Sequence, residues 1–274
     1  MHLATTVLNG WSAALKNQGR VVWALILREI MTMYGRTQLG YLWVIIRVIV
    51  SIAIFYVLRG VILGRQTPWV DMHIVVFLAN GFILWFIFSD CVTKIMNSVR
   101  GNKGLLDFPL VLPLDIVFAR IILITATNLL AGVIIFFGVY HVLGIEFYIT
   151  SLGSIFLAVL MTVGLATGFG LICMVLDKFI PSTQIIVGFI MRILFFTSGI
   201  IFAVDQRFPY EVREYIYYNP LYQIVELCRC GFTRLMELQT SNVDLIYIAW
   251  FILVSLFLGL LFERYTRGMT EVSG

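Results

Sequence analysis

Six stretches of this chain are long, apolar and poor in charge: residues 38–63, 70–94, 114–143, 147–176, 183–203 and 243–262. About 20 such residues, wound as a helix, cross the ~30 Å hydrocarbon core of a bilayer. Lipid offers no partner to backbone N–H and C=O groups, so each stretch must satisfy them internally as a helix. The pattern therefore predicts an all-α membrane protein with six transmembrane helices.

The segments between these runs carry patterns of their own. Ahead of the first run, Arg28, Glu29, Thr32 and Arg36 share one arc of a helical wheel, and Trp23, Ile26, Leu27, Ile30 and Tyr34 share the other. That is an amphipathic helix suited to lie in the membrane interface. Gly35 and Gly40 flank the bend into the first span. Between the fifth and sixth runs, 204–242 is too polar for two spans, yet "YIYYNPLYQIVELCRCGF" is apolar enough to enter the bilayer. Asn219 is a fitting cap for a helix that starts at Pro220, and proline disfavours helix in the residue before it. The expectation is a re-entrant helical pair, broken at Asn219-Pro220 and running to about Arg234.

Composition sharpens the class and charge gives the orientation. The 274 residues are 61% hydrophobic and 12% charged, against about 25% charged in soluble domains. The net charge of +4 does not signal nucleic acid, because the basic residues lie in loops and at helix ends. Lys16, Arg20, Arg28 and Arg36 precede the first run, and Lys94, Arg100 and Lys103 follow the second. Lys178 follows the fourth, and Arg264 and Arg267 follow the sixth. The positive-inside rule then puts both termini in the cytoplasm. The reading divides the chain into an N-terminal cytoplasmic segment (1–37), a transmembrane domain (38–263) and a cytoplasmic tail (264–274). The N-terminus lacks a signal-peptide pattern. Cys91, Cys173, Cys228 and Cys230 show no metal-ligand spacing and read as buried thiols. The sequence shows no HExxH, GxSxG or phosphate-binding P-loop, so no catalytic residue and no metal ligand is assigned.

Charge inside a span is costly, about 2.5–3.5 kcal/mol on insertion scales. Arg192, near the middle of the fifth run, either faces a path for an anionic substrate or pairs with an acid such as Asp90 or Glu226. Arg47 is the second pathway candidate, and Arg59 reads as snorkelling to the outer interface. Tyr41 and Trp43 can stack on sugar rings along a channel or belong to an interfacial belt. Arg28 and Arg36 read as a topological anchor or as part of a gate. Glu226 and Arg229 have the i,i+3 spacing of an ion pair. In the loop 100–120, Arg100 and the Pro-bounded Leu105, Leu106, Phe108 and Pro109 suggest a docking surface, or a loop lying on the interface.

In this order and spacing, "LREIMTMYGRTQLGYLW", "FPLVLPLDIVFAR", "SGIIFAVDQRFP" and "YNPLYQIVELCRCGF" resemble the channel-forming permeases of ABC-2 type exporters, the capsular-polysaccharide branch in particular. One departure is Val48, in a region where the family often has proline. The resemblance implies a homodimer of permeases with two separate ATPase subunits beneath, which bind the ATP and Mg. This chain would carry no cofactor. It implies that the 100–113 loop couples to the ATPase, that the helix before Gln38 lies at the interface, and that the re-entrant pair, with Asn219, Pro220, Glu226 and Arg229, closes the outer end. The implied cargo is a lipid-anchored acidic polysaccharide at the bacterial inner membrane, passed to a periplasmic co-polymerase and an outer-membrane exporter. Permeases for O-antigen, teichoic acid or drugs share the fold and remain the alternative. A membrane transferase acting on lipid-linked sugars is a further one, but it would need an acidic or histidine cluster.

Overall fold

The computed structural model describes residues 18–32, 40–62, 72–102, 112–180, 182–204, 209–233 and 243–272. Among them the chain is helical, with no extended strand. Helix α1 covers 18–32. Helix α2 (Gly40–Tyr56) continues into a π-helical turn (Val57–Ile62), and α3 is Ile74–Met96. After a 3₁₀ turn at Arg100–Asn102 come α4 (Pro113–His141), α5 (Leu152–Phe179) and α6 (Thr183–Thr197). Two short helices, α7 (Tyr210–Tyr217) and α8 (Pro220–Cys230), precede α9 (Leu245–Val272).

Local chemistry sets most of these starts. His73 Nδ1 accepts from the Val75 amide at 3.2 Å and opens α3. Pro113 stands in the first turn of α4, and the Asp115 carboxylate accepts from the Leu112 amide at 3.0 Å. Ser151 Oγ accepts from the Ser154 amide at 3.2 Å, and Asp244 Oδ1 accepts from the Ile246 and Tyr247 amides at 3.0 Å. Each partner satisfies an N–H that a helix start leaves over.

Among the described residues five helices are long and apolar enough to cross a membrane: Leu42–Arg59, Ile74–Met96, Pro113–His141, Leu152–Phe179 and Leu245–Thr266. The fifth expected run, 183–203, behaves differently. Its helix α6 has 15 residues, about 22 Å at 1.5 Å per residue, short of the ~30 Å core. Ser198 Oγ turns back onto the Leu194 carbonyl at 2.6 Å, and Gly199 takes a positive φ of 63°. A left-handed glycine just past the cap is a helix stop. The sixth run also ends later than the pattern suggests: α9 continues through Glu263 and Arg264 to Val272.

The centre of the bundle is α3, buried along most of its length and packed against α2, α4, α5 and α8. Helices α2 to α5 alternate in direction, and α9 runs parallel to α5. One end of the bundle therefore gathers Lys94, Arg100, Arg120 and Lys178, and the other gathers α7, α8 and the turn after α6. Helix α9 lies along α5 and exposes Trp250, Leu253 and Phe257.

The α5–α9 seam depends on glycine. A Cβ on Gly168 would sit 2.8 Å from the Leu256 backbone nitrogen, and one on Gly259 would sit 2.7 Å from Leu171 Cβ. Small residues let membrane helices approach this closely. Gly168→Val is expected to push α9 away and destabilise the protein by about 1–3 kcal/mol, the usual range for overpacking. Gly188→Ala, where a Cβ meets nothing within 4 Å, is the control. Thermal unfolding in detergent compares the two, and equal melting temperatures would refute the seam's importance.

Candidate functional site

The most constrained polar group lies on α8, whose residues are all buried. Arg229 is 0% exposed. Its Nη1 donates to Glu226 Oε1 at 2.8 Å and its Nη2 to the Ile200 carbonyl at 3.1 Å. The guanidinium carbon stands 3.4 Å from the centroid of the Phe77 ring. A charge out of water needs compensation of this kind, a partner carboxylate, a carbonyl and an aromatic face. Gly81 makes room for it, since a Cβ there would lie 3.2 Å from Nη2 and 3.0 Å from the Ile200 oxygen. Arg59 does not snorkel. It is buried, donates to the Ile201 carbonyl and lies 5.9 Å from the Phe77 centroid. Two arginines from different helices thus hold consecutive carbonyls of the turn after α6. The α2 helix ends in a π turn around Arg59, which places that side chain inside the bundle.

Asn219 ties the same region together. Its Oδ1 caps α8 through the Leu221 amide at 3.0 Å. Its Nδ2 donates to Thr197 Oγ1 and Ser198 Oγ, both at 3.1 Å. Gln223 Nε2 donates to the Tyr217 carbonyl at 2.7 Å, while its Oε1 accepts from the Asp244 amide at 2.9 Å. At the far end of α8, the Gly231 carbonyl accepts from the amides of Thr150 at 2.8 Å and Ser151 at 3.3 Å. The α7–α8 elbow is therefore fixed to α6, α5 and the start of α9. The break at Asn219-Pro220 falls where the cap and proline place it.

A second polar cluster lies between α2, α3 and α4. Arg47 meets Asp90 side by side, Nη1–Oδ1 2.9 Å and Nη2–Oδ2 2.7 Å, the bidentate geometry of a strong pair. Asn128 reaches both, Oδ1 at 3.5 Å from Arg47 Nη2 and Nδ2 at 3.5 Å from Asp90 Oδ2. The guanidinium carbon is 4.0 Å from the Phe86 centroid. The pair is partly open, with the two side chains 38% and 26% exposed. Arg192, by contrast, is exposed on α6, with its guanidinium carbon 5.5 Å from the Phe189 centroid. It forms no ion pair with any acid among the described residues. The two acids considered for it, Asp90 and Glu226, are held by Arg47 and Arg229.

At the opposite end of the bundle, α1 packs against α4 through Leu25, Ile116 and Ala119. Glu29, placed on the wet arc by the helical wheel, is 3% exposed instead. It accepts from Arg120 Nε at 3.0 Å, and Arg120 Nη1 donates to the Lys94 carbonyl at 2.7 Å. Gln18 Nε2 donates to Asp115. The outward stripe of α1 is Trp23, Leu27 and Met31, all exposed, as an interfacial helix requires. Arg28 is half-buried on α1. Arg100 pairs with the buried Asp177 of α5 at 3.0 Å.

Of the other candidates, Trp43 is exposed on α2. Arg36, Leu105, Leu106, Phe108 and Pro109 lie outside the described residues, as does the side chain of Tyr41. The sequence reading missed Phe77, Phe86, Asn128 and the carbonyls of Ile200 and Ile201. Asp90 and Asn128 were legible as polar groups inside spans, and that signal could have linked them to Arg47.

Comparison with known proteins completes the picture. The model of the ABC-2 type transporter family matches residues 20–232. The polysialic acid transport protein KpsM of Escherichia coli is 34% identical over 241 residues, 88% of this chain and 91% of KpsM. The capsule polysaccharide export inner-membrane protein CtrC of Neisseria meningitidis serogroup A is 28% identical over 256 residues, 92% of this chain and 93% of CtrC. The O-antigen export system permease protein RfbA of Klebsiella pneumoniae is 22% identical over 226 residues, 82% of this chain and 85% of RfbA.

Proposed function

Because the chain belongs to the ABC-2 type transporter family, we propose that it is the channel-forming permease subunit of an ATP-binding-cassette exporter of lipid-anchored capsular polysaccharide. It is a transport subunit and not an enzyme, and ATP is hydrolysed in a separate subunit. The observation that carries the cargo is near full-length similarity to two proteins whose names state polysialic acid transport and capsule polysaccharide export. Similarity to RfbA supports the second reading, O-antigen export. Deleting the gene in its native host is expected to abolish surface capsule and leave polymer inside, with recovery on complementation. Intact capsule with lost surface O-antigen would favour the second reading.

In this proposal two copies of the chain line the path and two ATPase subunits dock at the end where Arg100 and Arg120 gather. ATP and Mg bind those subunits, and this chain holds no cofactor. A periplasmic co-polymerase and an outer-membrane exporter take the polymer onward. Dimerisation of the ATPases drives a two-state motion of the bundle. The Arg100–Asp177 pair supports this reading, because it ties Arg100, a residue of the proposed docking surface, to α5. Aspartate at both Leu106 and Phe108 is expected to release the ATPase from the detergent-solubilised complex. Unchanged co-purification would refute that contact.

We place this protein in the inner membrane with both termini cytoplasmic, counting α6 with the turn after it as a sixth crossing and α7–α8 as the outer re-entrant pair. Cysteines at Arg207 and Gln239, in a background without the native cysteines, should both react with a membrane-impermeant thiol reagent from outside. Labelling of one alone would mean that the segment between them crosses the membrane.

A further inference from the structure

Between α3, α4, α5 and α8 lies a cavity of about 460 Å³. Its walls include Ile83, Leu84, Phe136, Val159 and Phe232. Gly132 also lines it, and a Cβ there would press to 3.1 Å on Ile83 Cδ1. At the mouth Val133, Phe137 and Leu152 are 68%, 64% and 71% exposed. They belong to helices long and apolar enough to span a membrane, and the exposed Tyr140 and His141 at the end of α4 line the same cavity, so the mouth lies where a helix end meets the edge of the hydrocarbon. One wall residue stands apart: Asn80 is 2% exposed, and its Nδ2 has no hydrogen-bond partner.

Two simple occupants fit poorly. A buried water needs two to four polar partners, and the deep wall offers one amide. An empty space of this size leaves its lining without dispersion contacts. A hydrocarbon chain satisfies both counts. Its methylenes match the walls, the volume falls in the ~300–1,000 Å³ range of ligand sites, and an ester carbonyl is the acceptor that a buried N–H lacks.

We propose that this cavity is a lipid site that takes one acyl chain of a bilayer glycerophospholipid, with Asn80 donating to its ester carbonyl. Cys228 and Phe232 also line the cavity, so the chain would pack directly against α8 and the residue just past it. The occupant would then be part of what holds the Arg229 element in place. This proposal rests on the membrane-spanning fold and not on the identity of the exported polymer.

The test uses the purified full-length permease, without ATPase or polymer, and palmitoyl-oleoyl-phosphatidylglycerol as the probe. Native mass spectrometry is expected to show one tightly retained lipid per chain. Val159→Trp, which fills the cavity, and Asn80→Leu, which removes the donor, should each lower retention at least fivefold. Asn80→Leu breaks no hydrogen bond of Nδ2, so it reports on binding even if the tryptophan variant folds poorly. Equal retention in wild type and both variants would overturn the site. Loss in Val159→Trp alone, with that variant folded, would overturn the Asn80 contact.

Discussion

Arg229→Ala is expected to destabilise the protein by about 3–5 kcal/mol, the cost of breaking a buried ion pair by removing one member. Glu226, 6% exposed, would lose the guanidinium that donates to its Oε1. The Ile200 carbonyl would lose its donor and the Phe77 face its cation. These losses converge on one place, the turn at Ser198–Ile201 that ends α6. The expected phenotype is a lower melting temperature and a loosened outer end. Thermal unfolding in detergent measures the first, and protease sensitivity within α7–α8 measures the second.

The same physics gives the control. Arg229→Met with Glu226→Leu removes both members of the pair together, and such replacements are often neutral or stabilising. The double variant should therefore recover most of the stability lost in Arg229→Ala. Gly81→Ala should be destabilising by the opposite route, because its methyl would press on Nη2 and on the Ile200 oxygen. Arg229→Ala melting with the wild type would mean that Asn219 and Arg59 hold the turn without Arg229, and the role of Arg229 as its lock would fail.

Much of this architecture is legible in the residues. Hydrophobic runs give the long helices because lipid admits little else. Asn219-Pro220 marks the elbow because a side-chain acceptor and a preset φ start a helix. Glu226 and Arg229 pair because i,i+3 side chains share a face. The misses have two causes. One is a local stop signal inside a run that reads as continuous: Thr197, Ser198 and Gly199 end α6. The other is that tertiary contacts override local pattern. Glu29 leaves the wet arc because Arg120, 91 residues on, offers a charge partner. Arg59 turns inward because a carbonyl freed by the α6 turn is waiting for it. Nor does spacing reveal that Arg47 belongs to Asp90, 43 residues away on the next helix.

Arg192→Leu is expected to reduce surface capsule about tenfold, equivalent to ~1.4 kcal/mol, while the permease still co-purifies with its ATPase. The two arginines differ in which has charge to spare. Arg47 lies within 2.9 Å of Asp90 on both nitrogens, so the pair acts outwardly as a small dipole. Arg192 has an aromatic ring beside it and no ion-paired acid among the described residues. An isolated cation projects its potential over roughly a Debye length, about 8 Å at physiological salt, and further where water is excluded. An acidic polymer passing α6 would meet that potential. Arg192→Lys keeps the charge and should keep most of the export. Arg47→Leu should act differently, lowering stability and yield, because Asp90 and Asn128 lose their common partner. Capsule quantification alongside ATPase co-purification separates the two roles. Lost assembly in Arg192→Leu would make that residue structural. Lost export with intact assembly in Arg47→Leu alone would transfer the pathway role to the α2–α3 cluster.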